Sequence, residues 1–137
     1  MSNLILDQGA TWTRVWTYEN PDETPIILNG CVARFQVRYG NASGPIAVDL
    51  DSLTKGGIVI TNSTGTVTVT VPAATSSALA LAGLALGSTR ELQSDESYRQ
   101  ASGTLCAWAL ELTMADGTTV VRLDDGALVI TLEVIHA

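Results

Sequence analysis

Six consecutive residues, Thr66–Val71, alternate strictly between threonine and valine. Successive side chains of a β-strand point to opposite faces, so this alternation puts every valine on one face and every threonine on the other. The run therefore predicts a strand whose valine face packs on a core, with a ladder of threonines outside. Because uncharged strands of this kind aggregate when exposed, we expect the fold or a partner to cover it.

The same period of two recurs along most of the chain. It places Trp12, Trp16 and Tyr18 on one face of a strand, with Arg14 interrupting that face and either reaching the rim or pairing with a carboxylate. Turn signals separate the alternating segments, among them Asp124-Asp125-Gly126 before a last strand over 127–135 with Leu132 facing inward. About seven to nine strands, spaced by about 8–12 residues, predict an all-β two-sheet sandwich in a single domain, 1–137.

Two segments depart from the strand pattern. Residues 73–82 are rich in Ala and Leu and follow Pro72, which favours the first turn of a helix, so we expect one short helix there. Residues 84–103 are mostly polar and show no regular period, which predicts a long inserted loop. Loops of that length inside compact domains are usually functional or disordered.

Charge excludes two classes of partner. The formal net charge is −7, with 14 acidic against 7 basic residues. Such a balance repels nucleic-acid phosphates and anionic lipids, so we expect neither nucleic acid nor a membrane as a partner. The first residues also lack a basic segment followed by a long apolar one, and we expect no secretory signal peptide.

Residues that commonly carry catalysis are scarce. The single histidine, His136, is the penultimate residue, where chain ends fray, and it is poorly placed for a nucleophilic triad. Cys31 and Cys106 have no CxxC spacing, and we interpret them as small buried side chains, with a disulfide between them left open. We therefore expect no enzyme activity and no cofactor.

Acidic clusters occur at Asp49/Asp51, Asp95-Glu96 and Asp124-Asp125. Each supplies at most two carboxylates, whereas Ca²⁺ takes about six to eight oxygen ligands, so we expect no metal site. A set of aromatic residues could instead form a sugar-binding platform, although the alternation assigns most of them to the core; the set is Trp12, Trp16, Tyr18, Phe35, Tyr39 and Trp108. A carbohydrate-binding module is the alternative function that these residues raise.

The segment 84–103 is the strongest candidate for a protein interface. Its apolar, arginine and tyrosine side chains are of the kinds enriched where proteins bind one another, namely Leu84, Leu86, Arg90, Tyr98 and Arg99. The competing interpretation is a disordered surface excursion. Together with the threonine ladder of Thr66–Val71, this segment offers contacts to other proteins more readily than a pocket.

The order of segments resembles a known family. Its elements are a "QGAT" opening strand, "TPIILNG", "GTVTVTV" followed by an alanine-rich segment, "WALELTMADGT" and the closing "GALVITLEV". In this order they resemble small β-sandwich proteins encoded among bacteriophage virion genes, similar to the N-terminal domain of baseplate upper proteins. The resemblance covers nearly the whole chain except 84–103, which looks like an insertion.

This resemblance implies an Ig-like sandwich that docks to other virion proteins in several symmetric copies. It implies a structural, non-enzymatic role in the virion at the tail, baseplate or neck, often as the anchor of a fibre or spike, after synthesis in the host cytoplasm. A capsid decoration protein is the alternative within the same class.

Overall fold

The computed structural model describes residues 2–81 and 83–132. Within these ranges the chain forms a five-residue helix, α1 (Ala73–Ser77), a 3-10 turn at Asn62–Thr64 and nine strands. The strands are β1 (Leu4–Asp7), β2 (Trp12–Thr17), β3 (Val32–Tyr39), β4 (Ile46–Asp51), β5 (Ile58–Thr61), β6 (Thr66–Val71), β7 (Leu86–Leu92), β8 (Tyr98–Thr113) and β9 (Val120–Thr131).

The strands make two sheets, as the alternation predicts. The larger sheet has the order β1-β9-β8-β3-β4, with β7 pairing the first part of β8, and the smaller has the order β2-β6-β5. The fold is therefore an all-β sandwich. Every named strand pair is antiparallel except β1 with β9, which runs parallel and joins the two ends of the described chain.

The predicted valine face is confirmed. Val67, Val69 and Val71 have no solvent exposure, and β6 is the central strand of its sheet, so both of its edges are covered by the fold. Aromatic rings from both sheets meet across the interior at centroid separations of 5.4 to 6.3 Å. They belong to Trp12, Trp16, Phe35 and Trp108, and the prediction that the aromatic set is mainly core is confirmed.

The helix is shorter than predicted. It begins after Pro72 as expected but ends at Ser77, and Leu79 and Leu81 pack against the core from irregular chain. Ser76 is fully buried, and its hydroxyl oxygen accepts a 2.9 Å hydrogen bond from the Gly9 N–H. Ala82 lies outside the described residues.

The predicted turn at Asp124-Asp125-Gly126 is wrong, because β9 runs through it without interruption. A bulge takes its place: the register with β8 shifts between Leu110 and Glu111, which pair with Asp124 and Arg122. An extra residue in one strand bends it while keeping it paired. Leu132 was expected to face inward but is 72 % exposed, since the pairing of β9 with β1 ends at Thr131. Residues 133–135 of the expected strand and His136 lie outside the described residues.

The expected long loop over 84–103 is also wrong. Most of this segment forms a β-hairpin, in which β7 pairs with Tyr98–Thr104 of β8 and only Gln93–Ser97 forms the connecting turn. Along the part of the chain that the structure describes, no helix has the length and apolar character needed to cross a membrane.

Candidate protein-docking surface on the β7–β8 hairpin

The hairpin turn is closed by its own hydrogen bonds. The Gln93 N–H donates to the Ser97 carbonyl at 2.7 Å, and the Glu96 N–H donates to the Gln93 carbonyl at 3.0 Å. The Asp95 carboxylate accepts bonds from the Ser97 hydroxyl at 2.5 Å and from its N–H at 3.0 Å, and these bonds lower the pKa of Asp95. Short polar side chains that bond their own backbone favour turns, so Asp95-Glu96 has a structural role here.

The inward face of the hairpin carries a buried carboxylate. Glu91 on β7 is only 5 % exposed. It accepts two hydrogen bonds from the Arg14 guanidinium, from Nε at 2.7 Å and from Nη2 at 2.8 Å, and a third from the Ile5 N–H at 3.3 Å. Arg14 also stacks over the Trp12 ring, 4.9 Å from its centroid. The expectation that Arg14 pairs with a carboxylate is therefore confirmed.

A second ion pair ties the start of β8 to β1. The Arg99 guanidinium donates to both carboxylate oxygens of Asp7 at 2.8 Å, and the Thr131 hydroxyl donates to the same carboxylate at 2.7 Å. The hydrogen bonds from Arg99 hold the pKa of Asp7 below its usual value. Because Arg99 lies directly opposite Glu91 in the hairpin, both anchors lie on the same face of the hairpin.

The outward face presents apolar, arginine and tyrosine side chains. Leu92 and Tyr98 are directly opposite each other across the hairpin, and each is 58 % exposed. The Arg90 guanidinium lies over the Tyr98 ring at 4.5 Å from its centroid, which is within the range of a cation–π contact. Farther along β7, Leu86 is 79 % exposed. We call Leu86, Arg90, Leu92 and Tyr98 the hairpin patch.

A groove runs beside the hairpin patch. It encloses about 470 Å³ between the hairpin, the beginning of the chain and the middle of β2. Its walls include Arg90, Leu92 and Tyr98 on one side and Val15 on the other. The hairpin patch is thus continuous with a concave surface.

The structure brings three of the five predicted interface residues onto one exposed surface. Leu86, Arg90 and Tyr98 point outward, whereas Leu84 is half-buried before β7 begins. Arg99 serves as an internal anchor through Asp7 and is a poor candidate for contact with a partner. Leu92 also belongs to this surface but was not predicted from the sequence. It lies two residues after Arg90, so interpreting the segment as a strand would have placed both side chains on the same face.

The acidic clusters hold the chain's own structure together. Asp49 pairs with Arg34 and Lys55. Asp51 accepts backbone N–H bonds from residues 53–55, which lower its pKa to about 2. Across residues 2–81 and 83–132, no cluster of three or more His, Cys, Asp or Glu side chains is arranged to hold a metal ion. Cys31 and Cys106 are both free thiols, Cys106 buried and Cys31 half-buried.

The tryptophans do not make an open platform. Trp12 and Trp108 are almost fully buried, and their indole N–H groups donate to the carbonyls of Ile5 and Ser2 at 2.9 and 3.0 Å. A sugar ring needs an exposed aromatic face, and these rings pack against other rings instead.

Comparison with protein-family models and with curated proteins finds no match to this sequence. The hairpin patch is therefore identified from the exposure and contacts of its own residues.

Proposed function

We propose that this chain is a non-enzymatic structural protein of a bacteriophage virion, which docks to other virion proteins through the hairpin patch. The role in a virion rests on the resemblance of the sequence elements to small virion β-sandwich proteins. The docking role rests mainly on one observation: Leu92, Tyr98 and Arg90 stand exposed together on an anchored hairpin. Tyrosine and arginine are enriched among the few residues that carry most of the binding energy at protein interfaces.

The anchoring strengthens the docking proposal. The Arg14–Glu91 and Arg99–Asp7 ion pairs fix the hairpin against the sandwich before any partner arrives. A surface that is already ordered loses less conformational entropy on binding, so more of the contact energy appears as affinity. A tail, baseplate or neck component that anchors a fibre or spike is the placement we propose, and a capsid decoration protein is the alternative.

Mass spectrometry of purified particles tests the virion assignment. The proposal expects this chain in particles of the phage that encodes it, and its absence from them would overturn the proposal. Copy number then separates the placements, because a capsid decoration protein is present in far more copies than a component of a tail or neck.

Variants of the hairpin patch test the docking role. The double variant Leu92→Ser/Tyr98→Ser should fold but enter particles at a level at least tenfold lower than the natural chain. The matched control is Val59→Ser, which removes a 65 % exposed valine from the outer face of the small sheet and should leave incorporation unchanged. Equal incorporation of all three proteins would show that docking uses another surface.

A further inference from the structure

A second concave surface lies on the outer face of the large sheet, away from the hairpin patch. It encloses about 390 Å³ over β3, the second half of β8 and β9. The small side chains of Ala107 and Ala109 lie at its middle strand, and longer side chains rise on both sides. These are Arg34, Gln36 and Arg38 on β3 and Arg122 and Asp125 on β9, and we call the surface the Arg38 groove.

The Arg38 guanidinium is held in place without a counter-ion. Its Nε donates to the Gln36 side-chain oxygen at 3.0 Å, and its Nη1 donates to the Gly44 carbonyl at 2.9 Å. The other two arginines of the groove are paired with carboxylates: Arg34 with Asp49, and Arg122 with Glu111 and Asp125. In the described chain no carboxylate pairs with Arg38.

The same end of the groove has more hydrogen-bond donors than acceptors. The Gln36 side-chain oxygen is occupied by Arg38, which fixes the orientation of the amide. The Gln36 Nε2 is covered from solvent and has no acceptor within the described residues. The partial positive charge of this unpaired donor adds to that of the Arg38 guanidinium, so this end of the groove attracts an anion.

We propose that the Arg38 groove binds a carboxylate side chain presented by an acidic segment of another protein. The planar, immobilised guanidinium matches the two oxygens of a carboxylate, and the fixed geometry removes much of the entropy cost of forming the pair. The alanine middle of the groove leaves room for the backbone of the segment.

Two carboxylates in the groove distinguish a peptide from a polyanion. Glu111 on β8 and Asp125 on β9 line the groove and pair with Arg122, so the groove is not a continuous positive surface of the kind that attracts the successive phosphates of a nucleic acid. The same carboxylates are acceptors for the N–H groups of a peptide backbone. The groove therefore suits one isolated carboxylate flanked by peptide groups. This second site does not depend on the role proposed for the hairpin patch.

Titration with a short peptide tests the site on the intact chain. The probe is acetyl-Gly-Gly-Glu-Gly-Gly-amide, and the readout is the backbone amide signals of Ala107 and Ala109 in nitrogen–proton correlation spectra. We expect saturable shifts at millimolar peptide, at least fivefold weaker binding of the peptide with Gln in place of Glu, and weaker binding of inorganic phosphate. Equal responses to the Glu and Gln peptides, tighter binding of phosphate, or shifts confined to other residues would overturn the proposal.

Three variants assign the binding to the groove. Arg38→Gln should weaken binding of the Glu peptide at least tenfold, and Arg90→Gln, which removes an arginine from the distant hairpin patch, should leave it unchanged. Ala109→Leu keeps Arg38 in place but fills the groove, so it should also weaken binding at least fivefold. Unchanged affinity in Ala109→Leu, or equal losses in Arg38→Gln and Arg90→Gln, would show that the peptide binds elsewhere.

Discussion

Arg14 on β2 and Glu91 on β7 form a two-armed ion pair, with N–O distances of 2.7 and 2.8 Å between residues 77 positions apart in the sequence. The pair connects the small sheet to the hairpin that extends the large one. Its carboxylate is buried, whereas the arginine side chain is one third exposed. The ion pair thus links β2 and β7, which belong to different sheets and are not paired with each other.

We expect Arg14→Leu to lower the free energy of unfolding by about 2–3 kcal/mol, because it leaves the buried Glu91 carboxylate with one hydrogen bond, from the Ile5 N–H. The partial exposure of Arg14 keeps this loss below that of a fully buried pair. The double variant Arg14→Leu/Glu91→Leu should recover most of the loss, since no unpaired charge remains. Urea unfolding of both single variants and the double variant measures the coupling between the residues. Additive losses would contradict an energetic link between Arg14 and Glu91.

Glu91 and the residue opposite it, Arg99, explain why the hairpin could not be predicted. Glu91 is buried, and Arg99 lies directly opposite it on the same face of the hairpin. Alternation is recognised by apolar side chains on such a face, so these two charges hide the period of two. Their partners, Arg14 and Asp7, lie far away along the chain, and pairings of that kind leave no local signal. By contrast, the buried positions of β6 are all valines, so the alternation alone shows which face is buried. That strand was predicted with its correct ends.

Two features of the large sheet, β1 and the bulge in β9, also could not be predicted from the local sequence pattern. β1 is too short to show a period, and it is recognisable as a strand only through its parallel pairing with β9, from Leu4 with Leu128 to Asp7 with Thr131. The bulge opposite Leu110 similarly lets Asp124-Asp125-Gly126, a good turn sequence, remain extended. In both places the tertiary pairing outweighs local propensity.

Acid should destabilise the fold partly through Asp116. The Thr119 hydroxyl and the N–H groups of Thr119 and Thr118 donate to its carboxylate and lower its pKa to about 2. An unfolded aspartate titrates near pH 3.9, so between about pH 4 and pH 2 the unfolded chain binds a proton that the native chain does not. This contribution to stability is therefore present above about pH 4 and is lost as the pH falls toward 2.

Urea midpoints measured between about pH 5 and pH 2 check this expectation. Asp116→Asn removes the titrating group, and its midpoint should fall less steeply with pH than that of the natural chain. Asp51, whose pKa is also lowered to about 2 by backbone N–H groups, provides an independent second case in Asp51→Asn. An unchanged slope in both variants would assign the acid sensitivity to other carboxylates.

Cys106 should be inert towards thiol reagents in the native protein. Burial raises the pKa of its thiol to about 11, so at pH 8 only about 0.1 % of it is the reactive thiolate. Native labelling followed by peptide mass spectrometry should find modification at the half-buried Cys31 first, with Cys106 reacting only after unfolding in urea. Equal labelling rates at the two cysteines would mean that the interior around Cys106 opens readily.

Glu96 in the hairpin turn adopts the left-handed backbone conformation, with φ of 70°. In the β8–β9 turn the equivalent position is Gly117, with φ of 75°, and its N–H likewise bonds to a carbonyl three residues earlier. A side chain with a Cβ is strained there, whereas glycine adopts the conformation freely but loses more entropy on folding. The balance predicts that Glu96→Gly stabilises the protein by about 0.5–1 kcal/mol.

Thermal unfolding of Glu96→Gly beside Glu96→Ala separates backbone strain from charge. Alanine removes the carboxylate but keeps the Cβ, so it should leave the midpoint close to that of the natural chain, while glycine should raise it by about 2–4 °C. If alanine raises the midpoint as much as glycine does, the gain comes from removing a negative charge from an acidic protein, and the strain at φ of 70° carries little free energy.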